Sequence, residues 1–162
     1  MSTIPRVAGL QIAVIGAGSA NGDLLDTAGA VGRLLAERGC VVVCGGLGGV
    51  MAAVARGARE AGGTTIGILP GESPDGGNEW LDHVVATGMG HARNLAVVAS
   101  GHAVIAVGGE WGTLAEIGLA RKLGRGVVVL GPGWQLERAG IERATSPAEA
   151  VERALLLAER YR

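Results

Sequence analysis

Apolar runs of about five residues, the length of a buried strand, recur along the chain between glycine turns and stretches of helical spacing. Leu10–Ile15, Cys40–Cys44, Thr64–Leu69, Asp82–Ala86, Ala103–Val107 and Gly126–Leu130 read as strands, and Ile141–Ala144 as a last edge strand. Asp23–Arg38, Val50–Ala61 and Met89–Ser100, with the segment that opens at Leu114, carry apolar residues at helical spacing. Ser146-Pro147-Ala148-Glu149 supplies an N-cap, a proline at the first helical position and a capping-box carboxylate, which predicts a terminal helix over 146–161. Met1–Gly9 reads as a frayed leader, and the prolines, glycines and aspartate of Pro70–Asn78 predict a long surface loop without regular structure. Strands alternating with helices predict an α/β fold, a parallel doubly wound sheet in three α/β/α layers. One domain is expected over 1–162, with its core at about 10–130. In such a sheet ligands bind beyond the carboxyl ends of the strands.

Composition narrows the picture. Thirty glycines exceed what ordinary turns use, and they cluster directly after the apolar runs. With 48% hydrophobic residues and no Phe, the core must be built from small aliphatic side chains. A net charge of −1, dispersed along the chain, offers no basic face for nucleic acid and no acidic tail for a basic partner. A small ligand is the expected partner. Cys40 and Cys44 share one face of a strand at roughly 13 Å, too far to bridge, so both are expected as reduced core thiols. The uncharged stretch Gly39–Ala55 is broken by Gly45-Gly46-Leu47-Gly48-Gly49, a poor lipid-exposed helix. With no charged segment leading into an apolar one at the start, a cytoplasmic location and no membrane contact are expected.

The chemistry is concentrated in the glycine loops. Gly16-Ala17-Gly18-Ser19 follows the first strand, Gly45 to Gly49 the second, and Gly108-Gly109-Glu110-Trp111-Gly112-Thr113 the central one. Glycine lets backbone approach a ligand closely, and the helix that follows offers unpaired N–H groups and the positive end of its dipole. Such loops suit phosphate. A dinucleotide fingerprint is incomplete, because the third glycine is Gly22 and strand two ends in Cys44-Gly45-Gly46 without an acid for a ribose hydroxyl. No GxxxxGK[ST] segment is present. His83, His91 and His102 lack ligand spacing, so no metal site is expected.

Taken together, the loops resemble the SLOG superfamily. The segments that carry the resemblance, in order, are Cys44-Gly45-Gly46-Leu47-Gly48-Gly49-Val50-Met51, Gly67-Ile68-Leu69-Pro70-Gly71, Thr87-Gly88-Met89-Gly90-His91-Ala92-Arg93-Asn94 and Gly108-Gly109-Glu110-Trp111-Gly112-Thr113-Leu114-Ala115-Glu116. It covers Leu10 to Leu130. That superfamily includes the Lonely Guy (LOG) phosphoribohydrolases, long mislabelled lysine decarboxylases, and the molybdenum cofactor carrier proteins. The Ile-Leu-Pro-Gly and Ala-Arg-Asn segments are closer to the carrier branch. The resemblance implies a Rossmann-like domain, a homo-oligomer of two or four chains, and a phosphorylated nucleotide-like or pterin-like ligand over the loops.

On the carrier reading a molybdopterin-type cofactor is cargo. On the LOG reading no cofactor is required, and Arg93 and Glu116, which match that family's catalytic Arg and Glu, hydrolyse the base–ribose bond of nucleoside 5′-monophosphates. The sequence departs from LOG in Val107, where that motif has Pro, and Asn94, where it has Lys. The ligand-binding set expected is Gly16, Gly18, Ser19, Gly45, Gly46, Gly48, Gly49, Met51, His91, Arg93, Asn94, Gly108, Gly109, Trp111, Gly112, Thr113 and Glu116. Hydrolysis wants a second carboxyl group, and Glu110 is the obvious one. Structural readings stand beside these: Thr113-x-x-Glu116 is also a capping box, Arg93 also a surface cation, and the glycines also packing devices. Trp111 is expected to flank the ligand or an interface, and Cys44 to be a buried thiol. Leu95–Ala99 and Leu114–Ala120 have apolar surface on which copies of the chain could pair.

Overall fold

The computed structural model describes residues 9–132, 135–136 and 140–162; the expected leader before Gly9 and the last glycine of the Gly131-Pro132-Gly133 turn lie outside them. Seven parallel strands form one sheet: β1 (Gln11–Gly16), β2 (Val41–Cys44), β3 (Thr64–Leu69), β4 (His83–Ala86), β5 (Ala103–Val107), β6 (Gly126–Leu130) and β7 (Ile141–Ala144). Their order is β4-β3-β2-β1-β5-β6-β7. The chain therefore winds outward from β1 to one edge, returns to place β5 against the other side of β1, and winds outward again. β1 and β5 pair from Ile12 with Ala103 to Gly16 with Val107, which makes their carboxyl ends the switch point where ligands bind in doubly wound sheets.

Both faces of this sheet are covered, which is why its central strands read as unbroken apolar runs. One face carries α1 (Gly22–Glu37), α2 (Val50–Glu60) and α5 (Pro147–Tyr161), packed through Val31, Leu35, Val54, Ala154 and Leu155. The other carries α3 (Arg93–Ala99) and α4 (Trp111–Lys122), packed through Val97, Val98, Ile117 and Ala120. The three layers are those the alternation predicts. Cys40 and Cys44 are buried free thiols. No helix among the described residues is long and apolar enough to cross a membrane.

Most bounds agree to within a residue; two helix starts and one loop differ further. The segment from Met89 opens with a 3-10 turn, Gly90–Ala92, and becomes α-helical only at Arg93. The Pro70–Asn78 loop likewise contains a 3-10 turn, Pro74–Gly76, capped by the Ser73 hydroxyl. α4 starts at Trp111, not Leu114, so Gly112 and Thr113 belong to its first turn rather than to a loop. Glycine disfavours helix interiors by about 1 kcal/mol, but the first turn makes no internal N–H bond, so Gly112 is tolerated there.

α5 begins as its sequence predicts, with one difference. Ser146 Oγ accepts from the Glu149 amide at 3.1 Å, but Glu149 reaches back to the amide and hydroxyl of Thr145, both at 2.8 Å, one residue before the cap. These bonds, with Arg153, hold the Glu149 carboxyl down at about 2. Its folded value lies below that of an unfolded Glu, about 4.3. The contribution to stability is therefore present at neutral pH and is lost as pH falls through that interval. Glu149→Gln is expected to flatten the acid limb of a stability-versus-pH curve between about pH 5 and 2, read by urea unfolding. Ser146→Ala is expected to cost about 1 kcal/mol at any pH.

Candidate functional site

A pocket of about 230 Å³ opens at the carboxyl ends of β1 and β2, beside the starts of α3 and α4. The turn after β1 contributes Gly16, Ala17, Gly18 and Ser19, and Gly45 follows from β2. Met51 comes from α2, Arg93 and Asn94 from the start of α3, and Glu110, Gly112, Thr113 and Glu116 from the first turns of α4. Residues far apart in the sequence meet here because β5 returns to the side of β1, carrying α3 and α4 with it.

Arg93 is the cation of this pocket and only 9% exposed, which removes the surface-cation reading. Its Nη1 donates to Asn94 Oδ1, yet its Nε is buried and without a partner. Buried polar groups are nearly always hydrogen-bonded. The residue itself lines the pocket, so its charge is held at the wall. Burial lowers its affinity for its proton, an effect opposed by Glu116 and Cys44.

Glu116 faces the same pocket and is 8% exposed. No ion pair within bonding distance joins it to Arg93 among the described residues. Burial pushes its carboxyl up to about 7, against the opposing pull of Arg93. The capping box is not formed, because the N-cap of α4 is Glu110 and Thr113 lies inside the first turn. Glu110 makes no side-chain cap, so the Gly112 and Thr113 amides enter the helix with no capping acceptor and border the pocket. Burial likewise raises the Cys44 thiol to about 11, against a hydrogen bond from the Gly46 backbone and the charge of Arg93. The thiol stays protonated and structural.

The remaining residues of the expected set do not line the pocket, and most have another role. A Cβ on Gly46 would meet Leu69 Cδ2 at 2.4 Å, and one on Gly49 the Ala17 carbonyl oxygen at 2.4 Å. These glycines fit the second loop against its neighbours. Gly48 is exposed, 3.4 Å from the Gly18 oxygen by the same construction. Gly109, at φ +139°, lets Thr113 close over the turn, and the Gly108 amide donates to the Leu130 carbonyl at 2.7 Å. His91 is exposed on the 3-10 turn. Trp111 is 75% exposed beside the pocket. Val14, Ile15 and Ala17 line the pocket without having been expected, because apolar residues at a strand end carry no signal separating wall from core.

Volume alone points elsewhere. A groove of about 1000 Å³ runs between α1 and α2, but its rims carry the ion pairs Arg33–Glu37 and Arg56–Glu60, each 2.8 Å. The one buried cation among the described residues, Arg93, lines the smaller pocket.

A parallel sheet with its crevice at the switch point, walled by glycine turns and helix starts, defines a Rossmann-like domain. The sequence pattern of the SLOG cluster4 family matches residues 9–158, and the chain belongs to that family. An uncharacterised protein of Archaeoglobus fulgidus is 46% identical over 142 residues, 88% of this chain and 92% of its own. The molybdenum cofactor binding protein of the phototrophic bacterium Rippkaea orientalis superposes with a TM-score of 0.82 at 32% identity, covering 96% of this chain and 98% of that one. The molybdenum cofactor carrier protein of Chlamydomonas reinhardtii gives 0.81 at 32%, covering 93% and 98%.

Proposed function

We propose that this chain is a binding protein for a phosphorylated small molecule, with a molybdopterin-type cofactor as its cargo. The observation that carries the reading is the nearly buried Arg93 lining one pocket with Gly112 and Thr113 at the start of α4. Arginine and helix-start amides are the donor set that holds phosphate. A pocket of about 230 Å³ is smaller than the roughly 300–1,000 Å³ that encloses a whole ligand. It takes the phosphate end, and the remainder of the cargo extends over the rim past Ser19 and Trp111. The likeness to the Rippkaea and Chlamydomonas proteins supports a pterin cargo. A homo-oligomer belongs to the same proposal, with Leu95 and Met89 as exposed apolar positions beside the site.

A second reading is favoured by Glu116, a carboxyl near neutrality in reach of the same pocket. This is the condition for a general base. In a nucleoside 5′-monophosphate with its phosphate on Arg93, Glu116 would take a proton from water as the oxygen adds to ribose C1′ and the C1′–N bond breaks; the departing base would take up a proton from solvent, and Glu116 would return its own to solvent. The two readings separate in one experiment. With purified protein and AMP, the carrier reading expects a raised melting temperature and no adenine. Adenine release that Glu116→Gln abolishes would establish the hydrolase instead.

A further inference from the structure

We propose that Glu116 enters the complex with a phosphate-class oxyanion as the neutral acid, donating its O–H to the ligand, so that filling the pocket takes up a proton. The inference deepens the reading of this pocket as an anion site and rests on it. It starts from the pocket's charges. Among its lining residues Arg93 is the only cation, while Glu110 and Glu116 are both carboxylic acids; no Lys or His lines it. Thr113 and Glu116 are three apart on α4, hence on one helix face and about 5–6 Å apart at Cβ. An oxyanion held by Arg93 and the Gly112 and Thr113 amides therefore sits against the Glu116 carboxyl. The pocket of about 230 Å³ encloses both groups.

A carboxylate there would repel the ligand and offers only acceptors to a ligand that is itself all acceptor. A carboxylic acid removes the repulsion and supplies a donor. The groups that face Glu116 leave this choice open to a bound anion. Arg93 from α3 favours the carboxylate. Glu110, at the start of α4, also lines the pocket. Cys44 at the end of β2 is a protonated thiol. The β1 turn from Gly16 to Ser19 carries no titratable side chain, and β5 and β6, against which α4 packs, are wholly apolar. Burial already holds the empty-site carboxyl at about 7, so a second anion beside it raises that value further.

The sign follows from linkage. Below about 7 the acid form is already present, and affinity is insensitive to pH. Above it each bound anion must draw a proton from solution, so affinity falls about tenfold per pH unit. Sulfate is the suitable probe, because unlike phosphate it keeps its charge through this range. Sulfate binding to the full chain is measured by titration calorimetry from pH 6 to 9, in two buffers of different ionisation enthalpy. The expected result is a roughly tenfold loss per unit above pH 7, an uptake approaching one proton, and for Glu116→Gln a profile without that slope. A flat wild-type profile, or a slope that survives in Glu116→Gln, overturns the proton link and leaves the anion site standing. Absence of sulfate binding at every pH overturns the anion-site reading and this inference with it. Should Glu116→Gln fail to fold, the buffer dependence of the wild-type enthalpy decides alone.

Discussion

Arg93→Met is expected to make the protein more stable and to disable it. Methionine keeps the length and the packing against Gly45, whose own Cβ would come within 3.0 Å of the Arg93 guanidinium. It removes a buried charge with an unpartnered Nε. An unsatisfied buried donor costs about 1–3 kcal/mol, and replacing buried ions by apolar groups of similar volume is often neutral or stabilising. Glu116 would not be left as an orphan charge. Its carboxyl already stands near 7, and without Arg93 it rises and takes a proton. We therefore expect a gain of about 1 kcal/mol in urea unfolding. Affinity for sulfate or AMP should fall by about ten- to a hundredfold, the range set by charge-assisted hydrogen bonds of roughly 1.5–3 kcal/mol. A variant that is less stable than the wild type would show that Arg93 holds the fold through Asn94 and Glu116, and would remove the main support for an anion site.

Gly57→Ala is expected to damage the fold far from that pocket. A Cβ on Gly57 of α2 would lie 2.0 Å from the Gly29 carbonyl oxygen of α1, and one on Gly32 would lie 2.1 Å from the Val54 oxygen. Both obstacles are backbone, so the helices must separate to admit a methyl group. Alanine gains about 1 kcal/mol of helix propensity, but overpacking a close contact costs about 1–3 kcal/mol or more, and the clash here is with an atom that cannot rotate away. A net loss of about 2 kcal/mol in urea unfolding is expected. Gly118→Ala is the control, since its Cβ meets nothing within 4 Å on the exposed side of α4. That change should stabilise by about 0.5–1 kcal/mol. Equal effects at the two positions would show that α1 and α2 yield, and that their glycines are not packing devices.

The same contrast shows how far a glycine can be read from its neighbours in the chain. Clusters after apolar runs marked the strand ends correctly, and each does begin a turn at the carboxyl edge of the sheet. Which glycine borders the pocket was not legible. Gly45 does, while Gly46 and Gly49 are required by Leu69 and by the backbone of Ala17 and Gly18. The start of α4 was misplaced for a related reason. Gly112 and Thr113 resemble loop in composition, and only the extended Glu110 and the closure of Gly109 on Thr113 make them a first helical turn. Thr113-x-x-Glu116 matched a capping box because spacing alone does not say which residue is the cap.

Apolar runs bounded by glycine marked the central strands and, with the helices between them, the layered α/β class, because a strand buried on both faces must be apolar throughout, whereas the edge strands β4 and β7 carry polar and exposed residues. The resemblance to the SLOG superfamily marked Arg93 and Glu116 as candidate site residues. Their meeting was decided by sheet order: β5 lies beside β1, so α3 and α4 start where the β1 turn ends. Burial then did what residue type cannot, leaving a guanidinium donor without a partner and lifting a carboxyl to the edge of neutrality. Both are properties of a charge's surroundings, and those surroundings come from segments distant in the chain.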